Sequence, residues 1–360
     1  MAATLADGSN QPEGRAQARQ ALRRSLTPSD VAGRRQELEE LAKRSDDPHV
    51  SFELAGLCYL SYDFDISRSH AEAAFLAFKK AGHKRAAAVA AALIGRIFFE
   101  GFDNAPAANG WFARARTMLE GEGPCLEKGW VLLGLVGCSV GDAAKLLRDA
   151  DEALDIARRF DNAELECKAL GDAGVACVGL GEIDRGFDMI DEAMTMLTCE
   201  DIGYFVAAQV LCDTVTACER SGDLGRLERW LEVLDVAGVA GPDDFRPLMF
   251  THCHVAYGNV LCGSGRWSEA ESALRLGLAT SQEGFGYHRT GSRSGLAELR
   301  IRQGRYDEAR IVLEGCPDRV EVAPARARLH HAEGRYDEAI STIAWCVRQL
   351  GQDDRARAVP

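Results

Sequence analysis

Gly265-Arg-Trp-Ser-Glu-Ala270, Gly304-Arg-Tyr-Asp-Glu-Ala309 and Gly334-Arg-Tyr-Asp-Glu-Ala339 are three copies of one hexapeptide. Weaker copies lie upstream: Gly101-Phe-Asp-Asn-Ala105, Gly141-Asp-Ala-Ala-Lys-Leu146, Gly181-Glu-Ile-Asp-Arg-Gly186 and Gly222-Asp-Leu-Gly-Arg-Leu227. A degenerate first copy, Ser61-Tyr-Asp-Phe-Asp65, lacks the Gly. The copies start at 61, 101, 141, 181, 222, 265, 304 and 334, in steps of 40, 40, 40, 41, 43, 39 and 30 residues. A repeat of about 40 residues marks a helical solenoid, in which each unit buries its apolar face only against its neighbours.

Each unit reads as helix, tight turn, helix. The Gly ends the first helix because a left-handed C-cap costs little without a Cβ. The acid or hydroxyl after the turn aromatic starts the second helix as cap or first-turn charge. The aromatics Trp267, Tyr306 and Tyr336 are expected to pack against a neighbouring helix. The small residues Ala270, Ala309 and Ala339 let the paired helices approach closely. Apolar stripes at helical spacing follow the turns, as in Ala143, Leu146, Leu147, Ala150, Ala153, Leu154 and Ala157.

The pattern resembles the tetratricopeptide repeat. That family favours a second Gly seven residues before the turn Gly. Gly134, Gly174 and Gly258 match it, Ala297 and Ala327 are small substitutes, and Ile94 and Val215 depart. The long units also resemble the repeat region of actinobacterial LuxR-type transcriptional regulators. Gly110-Trp-Phe-Ala-Arg-Ala-Arg-Thr-Met-Leu-Glu120, Ala150-Asp-Glu-Ala-Leu-Asp-Ile-Ala-Arg-Arg159, Thr216-Ala-Cys-Glu-Arg-Ser-Gly-Asp-Leu224 and Phe245-Arg-Pro-Leu carry this likeness. The resemblance implies an all-α solenoid of about seven helix pairs after an N-terminal helix, wound as a right-handed superhelix. It implies a sensor or adaptor role in a transcription-related regulatory system. A DNA-reading helix-turn-helix is not seen after the last copy.

The domain reading is a flexible leader over 1–26, the array over 27–350 and a tail over 351–360. The 360 residues are 46% hydrophobic and 27% charged, which excludes wholesale disorder. A net charge of −13 argues against binding the phosphates of nucleic acid. No window supplies the roughly 18 apolar residues of a membrane span. Arg15, Arg19, Arg23 and Arg24 precede no apolar signal region, so the expected location is the cytoplasm. The twelve cysteines, Cys138, Cys177, Cys212 and Cys262 among them, are expected to be buried free thiols. Cys212 and Cys218 point to well-separated faces of one helix, so no local bridge is expected.

No phosphate-binding loop, zinc-protease helix or nucleophile elbow is present, and no enzyme activity, cofactor or metal is expected. His252-Cys253-His254 are adjacent on a helix and point about 100° apart, so they cannot converge on one ion. The expected working surface is a concave groove lined by the first helices. Residues 141–245 carry 24 acidic against 9 basic side chains. Glu164, Glu166 and Asp172 on a first helix would then face a protein or peptide partner, either a basic or a helical segment. The connection Gln282–Gly291 offers Phe285, Tyr287 and His288 on a Gly-rich frame as a ligand loop. The alternative function is a small-molecule sensor. Its apolar ligand would sit inside the superhelix against Trp130, Phe205 and Tyr257.

Overall fold

The computed structural model describes residues 28–136, 143–236, 251–280 and 286–349. They form seventeen helices, and no strand occurs among the described residues. A lone helix, α1 (Pro28–Ala42), precedes eight antiparallel pairs. The first four pairs are α2 (Pro48–Leu60) with α3 (Phe64–Lys80), α4 (Lys84–Glu100) with α5 (Ala105–Leu119), α6 (Leu126–Val136) with α7 (Ala143–Arg159), and α8 (Ala163–Gly179) with α9 (Ile183–Cys199). The last four are α10 (Tyr204–Ser221) with α11 (Leu224–Val236), α12 (Thr251–Gly263) with α13 (Trp267–Thr280), α14 (Gly286–Arg302) with α15 (Tyr306–Leu313), and α16 (Ala323–Ala332) with α17 (Tyr336–Gln349). The sequence leader 1–26 and tail 351–360 lie outside the described residues. So does the connection Gly238–Pro247.

Each first helix packs on the first helix of the next unit, from α2 through to α16. The second helices form no comparable row. The architecture is therefore an all-α repeat solenoid with its first helices stacked side by side. Eight pairs stand where about seven were expected. The degenerate copy at Ser61 makes a full pair because Tyr62 itself takes the left-handed conformation, with φ 62°.

The turn glycines do what their position requires. Gly181, Gly222, Gly265, Gly304 and Gly334 have φ between 72° and 88°. Gly101 differs. Its φ is −84°, and Asp103 takes the left-handed place at 49°. Gly101 is needed for space instead, since a Cβ there would lie 2.5 Å from the Phe64 ring. Acids after the turn act in the first helical turn rather than as caps. Asp307 and Glu308 lie in the first turn of α15, whose N-cap is Arg305 with no side-chain cap bond.

The turn aromatics do not wedge between helices. Trp267, Tyr306 and Tyr336 are 41%, 39% and 59% exposed. They open the second helix ahead of the point where the two helices cross, which leaves them partly exposed. Tyr336 makes an edge contact to His331, with ring centroids 5.4 Å apart.

The crossing itself is tight. A Cβ on Gly174 would lie 2.6 Å from Ile190 and 2.7 Å from the backbone oxygen of Gly186. One on Gly258 would lie 2.6 Å from Leu274. Ala270 and Ala309 are fully buried at the equivalent place on the second helix. Where Ile94 departs from the small-residue pattern, the next residue supplies the space. A Cβ on Gly95 would meet the Phe112 ring at 2.5 Å.

One cysteine expectation is overturned. Cys212 on α10 and Cys253 on α12 form a disulfide, with their Cα atoms 5.3 Å apart. The stacking of first helices brings them together across one repeat. Cys58, Cys177 and Cys262 are buried free thiols, Cys199 is a free thiol but exposed rather than buried, and Cys138 lies outside the described residues. The expectation of free thiols therefore does not extend to the Cys212–Cys253 pair. No helix among the described residues is long and apolar enough to cross a membrane.

Gly174→Ala should destabilise the chain by about 1–3 kcal/mol, because the added methyl meets backbone that cannot yield. Gly56→Ala, in the interior of α2 with open space around it, should stabilise by up to about 1 kcal/mol through helix propensity. Urea unfolding midpoints of the two variants, compared with the parent, should move in opposite directions.

Candidate functional site

The winding of the array brings distant units together. Tyr59 at the end of α2 meets Phe205 at the start of α10, with ring centroids 6.2 Å apart. The Arg96 guanidinium on α4 donates to the Tyr59 hydroxyl and to Glu100, both at 2.9 Å. Tyr59 in turn donates to Glu100. With its amide oxygen turned toward Arg96, Gln209 on α10 accepts from both terminal guanidinium nitrogens at 2.8 and 3.1 Å. A second closure pairs Arg319, just before α16, with Asp103 in the α4–α5 turn.

Between these closures α8 is buried on every side. All residues from Leu165 to Val178 except Glu166 are inaccessible. Inside lies a charge cluster. Lys168 reaches Asp172 at 2.5 Å and Asp213 of α10 at 3.3 Å. Gly171 makes room for that carboxylate, since a Cβ there would lie 2.9 Å from an Asp213 oxygen. Burial alone would lower the Lys168 ammonium, but the two carboxylates outweigh it and hold it above its ordinary value. Burial raises Asp172 well above the carboxylate range, and the like charge of Asp213 adds to it against the pull of Lys168. One Asp172 oxygen has no hydrogen-bond partner.

The acids read as groove lining sit as follows. Asp172 is in this buried cluster. Glu164 accepts a hydrogen bond from the backbone N–H of Gly203 at 3.0 Å, at the N-cap of α10. Glu166 pairs with Arg158 at 2.8 Å. Of the three, Asp172 is therefore turned inward, and Glu164 and Glu166 are partly exposed and paired within the chain. Phe285 and the side chains of Tyr287 and His288 lie outside the described residues. The helix α14 starts at Gly286, so most of the expected 282–291 connection is helical rather than loop.

The three aromatics of the small-molecule reading are not brought to one place. Phe205 packs on Tyr59, and Tyr257 packs against the apolar core. Trp130 lines a cleft of about 290 Å³ near the N-terminal ends of α2, α4 and α6. Phe52, Phe78, Val89, Leu126 and Phe160 complete its apolar walls, with Arg85, Glu127 and Cys125 at its polar side. Burial pushes the Cys125 thiol up. Phe160 remains 44% exposed.

Sequence reasoning missed the bonds that join units, yet their spacing carries a signal. Tyr59 to Glu100, Glu219 to Asn259, and Asp191 to Trp230 are 41, 40 and 39 residues apart. Cys212 and Cys253 are 41 apart. Polar groups one period apart fall on the same face of successive helices.

Paired helices crossing at small residues, turned through a left-handed Gly and stacked by their first helices, define a TPR-like helical-repeat protein. No family model matches the chain, and no curated protein matches it. Among solved structures it is similar to the crystal structure of the yeast Tom70, with 14% identity and a TM-score of 0.46. The match covers 87% of this chain and 63% of that one, so the chain spans less than two thirds of that structure's length.

A raised Asp172 means that the folded chain holds a proton that the unfolded chain has already released. Stability should therefore fall as pH rises from the ordinary carboxylate range toward neutrality. Asp172→Asn should flatten that slope. Thermal melts of parent and variant between about pH 4 and pH 7.5 check this; parallel curves would place the titration elsewhere.

Proposed function

We propose that the chain is a non-enzymatic protein-interaction module that takes a protein or peptide partner. The observation that carries this reading is apolar surface left open on the second helices of the last two units. Tyr306 and Ile311 on α15, and Tyr336 and Ile340 on α17, are 39%, 67%, 59% and 67% exposed. Large apolar side chains grouped on a soluble surface are a usual mark of a contact with another chain. Tyr306 and Tyr336 hold the same place in the repeat, with Ile311 and Ile340 five and four residues after them, so both second helices carry open apolar side chains, as a solenoid surface does for an extended partner.

The finer role is the sensor or adaptor part of a transcription-related regulatory system, in the cytoplasm. Its support is the resemblance of segments 110–120, 150–159 and 216–224 to LuxR-type regulators, and it includes no direct contact with DNA. A small-molecule sensor is the second reading, and the aromatic cleft around Trp130 favours it.

Ile311→Glu with Ile340→Glu should leave the melting curve nearly unchanged, because exposed substitutions usually stay within about 0.5 kcal/mol. The same pair should abolish capture of the partner retained by the parent chain. Quantitative pull-down with parent and variant as bait checks this. An identical set of captured proteins would move the contact away from α15 and α17.

A further inference from the structure

We propose that the cleft around Trp130 binds a small organic cation, an alkylammonium group carried on an aromatic or aliphatic body. The inference rests on the small-molecule reading of that cleft and deepens it to a ligand class. Three observations lead to it.

The walls are aromatic on several sides. Phe52 and Phe78 meet edge to face with centroids 6.4 Å apart, and Trp130 and Phe160 line the same space. Aromatic faces attract a cation through the ring quadrupole, most strongly where water is excluded. The volume of about 290 Å³ lies at the small end of ligand pockets, which sets the size at about one ring with a short chain.

The charges are unevenly satisfied. Arg85 donates from Nε and Nη2 to Glu122, at 3.0 and 2.7 Å, and Lys84 stands 3.9 Å from the same carboxylate. The cation on the cleft wall is thus turned toward the rim, where it shares the Glu122 carboxylate with Lys84. Glu127 also lines the cleft and is partly buried. Among the described residues it has no ion-pair partner; the next residue, Lys128, is turned to Glu152 at 2.6 Å. This partly buried carboxylate against aromatic walls lies beside the Cys125 thiol and feels the Arg85 charge without pairing to it, and an ammonium group would complete the ion pair.

The cleft also keeps apolar surface open that folding alone would cover. Phe160 follows the last residue of α7 and stays 44% exposed beside the cavity. A ligand seated on Trp130 would bury it.

The test uses the full chain and three probes of equal length: 4-phenylbutylamine, 4-phenylbutanol and 4-phenylbutyrate. The amine is protonated at neutral pH, like a lysine side chain. Titration calorimetry should show one site per chain, with the ammonium bound at least about tenfold tighter than the alcohol and the carboxylate weakest. Glu127→Gln should reduce the ammonium to the affinity of the alcohol while leaving the alcohol unchanged. Val89→Trp, which fills the cleft, should abolish binding of all three, with circular dichroism confirming the fold. Equal affinity of ammonium and alcohol would overturn the cation assignment and leave the small-molecule reading of the cleft standing. Tighter binding of the carboxylate would overturn it in favour of Arg85. Absence of saturable binding by any probe, or binding that survives Val89→Trp, would remove both.

Discussion

The structure depends on how closely two helices can approach at one residue per unit. At the α8–α9 crossing a Cβ on either Gly174 or Gly186 would lie 2.7 Å from the other's backbone oxygen. At α12–α13 the same contact is made by Gly258 against Leu274, beside Ala270. That approach fixes the pair, and the pair fixes where the next first helix must lie. Interiors pack like organic crystals and have no slack to absorb an added methyl. A solenoid then propagates the geometry from unit to unit with only nearest-neighbour terms.

The winding has a result that nearest-neighbour terms alone do not contain. Units one and two meet unit five through Tyr59, Arg96, Phe205 and Gln209, and the stretch before unit eight meets unit two through Arg319 and Asp103. The largely apolar interior so enclosed holds one charge cluster. Lys168 stands between buried Asp172 and partly exposed Asp213, a cation facing two acids. Such a cluster adds little net stability, but loss of Lys168 would leave the carboxylates without their cation, at a cost of about 3–5 kcal/mol. It therefore specifies one way of closing the array.

The fold was legible because its signals are local. A Gly at a turn and a small residue five positions later act within one unit, and repetition multiplies weak evidence into a firm pattern. Tyr62 and Gly101 escaped because the left-handed position can move to a neighbouring residue while the turn is kept. The acids Glu164, Glu166 and Asp172 show the limit of counting charge along a stretch. Composition says how many carboxylates there are, and only the stacking says that one caps a helix, one pairs with Arg158 and one is sealed inside. The cleft around Trp130 was half legible. Trp130 stood out by type, but its apolar companions Phe52, Phe78 and Val89 lie 78, 52 and 41 residues upstream and Phe160 lies 30 downstream, and no local pattern links them.

The bridge between Cys212 and Cys253 gives the array an uneven response to mechanical load. A solenoid pulled from its ends peels one unit at a time, each released stretch adding contour length. The two sulfurs are 41 residues apart in the chain. At about 3.3–3.6 Å per extended residue, the segment between them would otherwise yield roughly 140 Å of slack. With the bridge intact that slack is withheld, so α10 and α12 stay spliced after the units on either side have unravelled. The α10–α12 junction becomes a fixed link in an otherwise extensible spring.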